Sequence, residues 1–328
     1  MKKSRSGVIV LITFLLVIVA AVIAIGLGSV TIAVPEIIQT LFSSASSTVN
    51  DTIIWNIRLP RVLLAMIIGA NIAISGALLQ AVMGNPLADP GLTGVTSGAA
   101  VCVLIIMLAA PEYTQFIPIA AFVGGLIAAT IVYSLAWRRN GISPITIILS
   151  GVAVNALCGG GIGYLSIMYS DRLPAAVQWL NGSLAAKGNN ALWMVFPYAV
   201  VGWILSIFVI RKANVIRMGD QVASNLGENV TKIRILLSIL AVFLAAISVA
   251  AIGMIGFVGL VVPHMARLLV GSNYKYLLPM SMALGALVLL LADTGGRTLF
   301  APLEIPAGIL MAVIGGPYFL YLMRRSAF

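Results

Sequence analysis

Residues 8–30 contain no charged side chain, and many further runs like this one follow along the chain. An α-helix needs about 20 apolar residues to cross a hydrocarbon layer ~30 Å thick, and an aqueous domain has no use for so many such runs. The chain therefore reads as a polytopic membrane protein. Of its 328 residues 61% are hydrophobic and 9% charged, against roughly 25% charged in soluble domains. The runs are continuous rather than alternating, which implies helices and not a barrel. The expected fold is all-α, one transmembrane domain over residues 1–328.

Polar and Pro/Gly punctuation marks ten candidate spans, at about 8–30, 62–83, 95–110, 116–137, 145–168, 191–210, 235–252, 255–270, 277–295 and 307–323. The third, seventh and eighth are short enough to be tilted, broken or merged. With the N-terminus inside, only Arg58, Arg61, Arg172, Lys187 and Arg297 of the 19 basic residues fall outside. That asymmetry satisfies the positive-inside rule and puts both termini in the cytoplasm. It also accounts for the net charge of +10 with no nucleic acid as partner. Lys2, Lys3 and Arg5 resemble the basic start of a signal peptide, but the apolar stretch is too long and lacks a clear cleavage site, so an uncleaved helix is expected.

Outside, Pro35 opens a short helix whose Ile37, Ile38, Leu41 and Phe42 share one face, suited to lie on the membrane surface; residues 43–48 follow as a polar linker. Inside, the longest polar stretch is 211–234. There Asp220 is placed to cap a helix through Leu226, Gly227 to end it, and a second turn to begin near Glu228. Such paired short helices are a handle for another protein, with a solvated basic loop as the plain alternative.

No G-x-x-x-x-G-K-[ST] occurs, so the chain has no P-loop with which to hydrolyse ATP. His264 stands alone and cannot form H-E-x-x-H, and Cys102 and Cys158 suggest no disulfide framework. Asp293 is the acidic residue set deepest in the later spans, where a proton relay is one reading; an i,i+4 pair with Arg297 is the plainer one. Gly151, Asn155, Gly159 and Gly163 recur every fourth residue and make a narrow smooth face, for helix packing or for an aqueous path. Gly308, Ala312 and Gly316 repeat the theme.

Several phrases together resemble a known family. Arg58-Leu59-Pro60-Arg61, Ser75-Gly76 with Gln80, Asn85-Pro86-Leu87-Ala88-Asp89-Pro90 and Gly98-Ala99 in the first half belong to the pattern. So do Gly256-Phe257-Val258-Gly259-Leu260, Pro263-His264 with Arg267, Ala292-Asp293 with Arg297, Glu304-Ile305-Pro306 with Gly308, and Gly315-Gly316-Pro317 with Phe319 in the second. In this order they resemble the FecCD-type (type II) ABC importer permeases for iron-siderophores, haem and cobalamin.

The resemblance implies a ten-helix subunit, paired with a second permease copy, two cytoplasmic ATPase subunits carrying ATP and Mg, and an external substrate-binding protein. This chain would bind no cofactor or metal of its own, and the cargo would be a metal chelate, a ferric siderophore before haem or a corrinoid. The fifth and tenth spans would line the path or the dimer contact, through Gly151, Asn155, Gly159, Gly163, Gly308 and Ala312. Ile142, Ser143 and Pro144 would narrow its cytoplasmic end. Asp220, Val222, Leu226, Gly227 and Glu228 would couple to the ATPase, and Arg58, Arg61 and Arg297 would receive acidic residues of the binding protein. Without the resemblance, those arginines read as paired with Asp293 or snorkelling to lipid phosphates. The segment 179–184, flanked by Arg172 and Lys187, would lie near the entrance. An ion-coupled transporter using Asp293 is the rival class, and a scaffold without transport a third.

Overall fold

A computed structural model describes residues 2–28, 31–42, 49–138 and 141–325, and the apolar runs in it are helices. In chain order these are α1 (Lys2–Gly26), α2 (Val34–Phe42), α3 (Val49–Ile53), α4 (Leu59–Met83), α5 (Val95–Leu104), α6 (Ile117–Ala136), α7 (Pro144–Met168), α8 (Leu173–Leu180), α9 (Asn189–Phe208), α10 (Ile210–Ile216), α11 (Asp220–Asn225), α12 (Val230–Ile252), α13 (Val258–Val270), α14 (Tyr274–Thr298) and α15 (Ala307–Arg325). A π-helical turn at Ile54–Arg58 joins α3 to α4. Between α6 and α7 the chain departs from all-α, where β1 (Trp137–Arg138) pairs antiparallel with β2 (Gly141–Ile142).

Among the described residues, seven helices are long and apolar enough to cross a membrane, and Val95–Ala109, Val258–Val270 and Ala307–Tyr321 are shorter apolar ones. The third and eighth spans are short as expected, but the seventh is not. Asn229 accepts the Lys232 N–H at 2.9 Å as N-cap of α12, so the helix starts in the polar stretch and runs for 23 residues. The tenth span joins the short group instead. The short helix α2 forms, but its apolar residues do not share one face as expected: Ile37 turns into the bundle and Ile38 stays exposed. The linker 43–48 lies outside the described residues.

Helix α4 is the axis of the bundle, packed on α9, α12, α13 and α14. Backbones meet there through facing glycines: a Cβ on Gly69 would overlap Gly285 O, and one on Gly76 would overlap Gly259 O. Such contact is what paired small residues allow in membrane bundles. Polar side chains on the same helix are satisfied across it. Ser75 Oγ donates to Ala241 O at 2.6 Å, Tyr274 Oη to Ala77 O at 2.9 Å and Arg267 to Gln80 Oε1 at 2.9 Å. The family-like phrases of the two halves thus touch: Gly76 and Gln80 of α4 meet Gly259, Leu260 and Arg267 of α13.

The periphery is different in kind. Helix α1 exposes Leu11, Leu15 and Ile18, and α7 exposes Leu149, Leu157 and Ile167, apolar faces fit for lipid or another subunit.

Candidate functional site

At the end of the bundle where α1 finishes, three arginines converge. Helix α1 leaves its last carbonyls without intrahelical partners, and two guanidinium groups satisfy them. Arg58 donates to Ile25 O at 2.7 Å and to Gly26 O at 3.2 Å, and Arg297 donates to Ala24 O. Positive charge is favoured at a helix C-terminus, which adds to the fit. Arg58 is 4% exposed. Gly28 leaves room for it, since a Cβ there would be 2.6 Å from the guanidinium.

Arg61 is held differently. Its Nε lies 2.9 and 3.2 Å from the two Asp293 oxygens, and Nη2 lies 2.9 Å from Oδ1; Nη1 reaches Glu304 at 3.0 Å. The expected Asp293–Arg297 pair along one helix is therefore corrected: Asp293 pairs with Arg61, and Arg297 turns to α1. Sequence reasoning assigns Glu304 no role of its own, because a pairing with Arg61 across 243 positions leaves no local signal. None of the three arginines is fully exposed; Arg61 pairs with two carboxylates and the other two donate to backbone carbonyls, so the cluster is a bonded network with a residual charge of about +1 and not a bare cationic patch.

The regular small-residue face on α7 divides. A Cβ on Gly151 would overlap Leu92 O, and Asn155 donates to Gly91 O at 2.9 Å while accepting from Ser97 Oγ. Its first half is internal packing. A Cβ added at Gly159 or Gly163 would meet nothing within 4 Å, so the second half opens outward. On α15, Gly308 is closed by Asn181 O, and Ala312 is exposed.

The opposite end carries the polar stretch. Helix α11 begins after Gly219, and Asp220 does not cap it. Its carboxylate instead accepts from Arg234 Nη2 at 2.9 and 3.0 Å. A charge-assisted bond from a guanidinium is stronger than one from a backbone N–H, which is why the expected cap fails. Gly227 ends the turn at φ +78, the left-handed position expected of it. No second short helix starts at Glu228; α12 itself follows, and the second short helix of the loop is α10. Val222 and Leu226 are exposed and Ala223 buried beneath them.

Next to this loop, Ser143 caps α7 by accepting the Thr146 N–H at 3.2 Å, with Pro144 at its first turn. Ile142 is buried, and its carbonyl accepts from Arg234 at 2.9 Å. The 179–184 segment is tucked in, with the Ser183 N–H on Ile252 O at 2.8 Å. Arg172 donates to Leu108 O at 2.8 Å, and burial lowers the pKa of Lys187. Among the described residues, no three His, Cys, Asp or Glu side chains are grouped to hold a metal.

Comparison with known proteins places this arrangement. The model of the FecCD transport family matches residues 15–325. The Fe(3+)-citrate import system permease protein YfmE of Bacillus subtilis is 39% identical over 99% of this chain and 97% of its own. The hemin transport system permease protein HmuU of Yersinia pestis is 39% identical over 88% of each. A solved inward-facing ABC transporter, assigned to the metal-chelate type, superposes with a TM-score of 0.84 at 30% identity, covering 97% of this chain and 99% of that one.

Proposed function

This chain belongs to the FecCD transport family, and we propose that its cargo is an iron chelate, a ferric siderophore before haem or a corrinoid. It is a multi-pass permease subunit of an ATP-binding-cassette importer in the cell membrane, and ATP hydrolysis lies with a separate partner. The observation that carries the cargo reading is the match along 99% of the chain to a ferric-citrate permease. The equal identity of the hemin permease keeps haem as the second reading.

Within that function, the three shorter apolar helices complete ten spans, and both termini face the cytoplasm in a single domain over 1–328. Two copies pair across the outward-opening half of α7 and the exposed side of α15, with Gly159, Gly163 and Ala312 at the contact or the path between them. Gly151, Asn155 and Gly308 support that face from within. Ile142, Ser143 and Pro144 narrow the cytoplasmic end. Met218, Val222 and Leu226, all exposed, form the apolar surface that two cytoplasmic ATPase subunits grip, with Asp220, Gly227 and Glu228 shaping it. At the far end Arg61, supported by Arg58 and Arg297, receives acidic residues of an external binding protein.

Uptake by the reconstituted complex of radiolabelled ferric citrate, a ferric hydroxamate and hemin, each with its carrier protein, tests the cargo. Import of a ferric chelate supports the reading. Import of hemin alone replaces it with the second.

A further inference from the structure

One buried side chain connects three segments that the function treats separately. Arg234, 7% exposed, sits in the first turns of α12. Its Nη2 holds Asp220 at the start of α11, Nη1 donates to Ile142 O of the hairpin at 2.9 Å, and Nε donates to Val82 O at the end of α4 at 3.3 Å. The hairpin leans on the same turn, since a Cβ on Gly141 would be 2.5 Å from Thr231 Oγ1. The hairpin leads directly into α7 through the Ser143 cap.

We propose that Arg234 is a positioning residue that locks α11 to the hairpin at the base of α7, so that the two move as one body. This rests on the reading of α11 as the ATPase-facing element. A guanidinium is the side chain suited to the task, because its nitrogens point in fixed, different directions. The Asp220 contact is the part open to force from outside: Asp220 is half exposed, while the two carbonyl contacts lie inside. With the carboxylate gone, α11 is tethered through the packing of Ala223 and its chain ends, and its displacement no longer carries the hairpin with it.

The test is a distance measurement between spin labels at Ser224 on α11 and Ile145 at the start of α7, both exposed, in the full complex in nanodiscs, without nucleotide and trapped with ATP and vanadate. The wild type is expected to give one narrow distribution, unchanged between the two states. Asp220→Asn, nearly isosteric, and Arg234→Lys are expected to lose the narrow peak, and Asp220→Glu to keep it. A distribution in Asp220→Asn as narrow as the wild type in both states overturns the proposal. The docking reading fails separately: it falls if the ATPase stays bound when Val222 and Leu226 are both changed to Ser, whatever the labels report.

Discussion

Arg61 and Asp293, 232 residues apart in sequence, form a salt bridge at 2.9 Å in which the carboxylate side chain is 2% exposed. The pair ties the start of α4 to the end of α14 on the same helices that meet lower down at Gly69 and Gly285. It gives Asp293 a structural partner where an ion-coupled transporter would need a carboxyl free to load and unload.

Asp293→Asn leaves a guanidinium with Glu304 alone. Breaking one side of a buried pair costs about 3 kcal/mol, so the variant is expected to melt earlier in detergent. A melting temperature equal to the wild type shows the pair to be dispensable.

The glycines separate by position. Gly69→Ala forces a Cβ into a carbonyl and is expected to lose about 3 kcal/mol of stability, toward the upper end of overpacking costs. Gly159→Ala meets open space and is expected to melt as the wild type does. Thermal unfolding of the two side by side checks this.

Gly159→Leu and Gly163→Leu are expected to fold, because each protomer has room for them, yet to separate the dimer or block passage. Size-exclusion mass and uptake read the two outcomes. Assembly and transport at the normal rate in both means that this face points at lipid.

Gly227→Val puts a β-branched residue at φ +78, a strain of about 1–3 kcal/mol. Reduced transport with the permease still dimeric is expected. Normal ATP-driven uptake, here and in the Val222→Ser/Leu226→Ser variant, removes the loop from the coupling path.

At the other end, Arg61→Glu breaks the pair with Asp293 and sets a third carboxylate beside it, so it is expected to melt earlier, and the folded fraction to capture the loaded binding protein more weakly with a flattened salt dependence. An unchanged affinity across a salt titration in this variant and in Arg297→Glu rules docking out there. Arg58→Glu is expected to act through folding, because its side chain caps α1 from a buried position.

What was legible in the sequence follows the range of the interactions. Apolar runs and the Gly227 helix stop depend on neighbours in the chain, and both form as expected. The partners of Asp293 and Asp220 depend on tertiary approach: a rule for adjacent helical turns selects Arg297, and a capping rule selects the α11 backbone, whereas Arg61 and Arg234 win through guanidinium groups delivered from elsewhere. The α7 periodicity identifies residues sharing a face but not what stands opposite. Gly151 meets Leu92, and Gly159 meets nothing. The Gly69–Gly285 seam has only a weak signal, Gly69 and Ala73 four residues apart on α4, and nothing in that spacing says that Gly285 closes on both.

A permease driven by a partner ATPase and fed by a carrier protein has a direct signature in transport. Proteoliposomes holding the assembled complex, loaded with ATP and given a radiolabelled ferric chelate with its binding protein, measure it. Uptake is predicted to require internal ATP and the binding protein, and to persist when proton and sodium gradients are collapsed by ionophores. Uptake by the permease dimer alone under an imposed ion gradient, without ATPase or nucleotide, would contradict it.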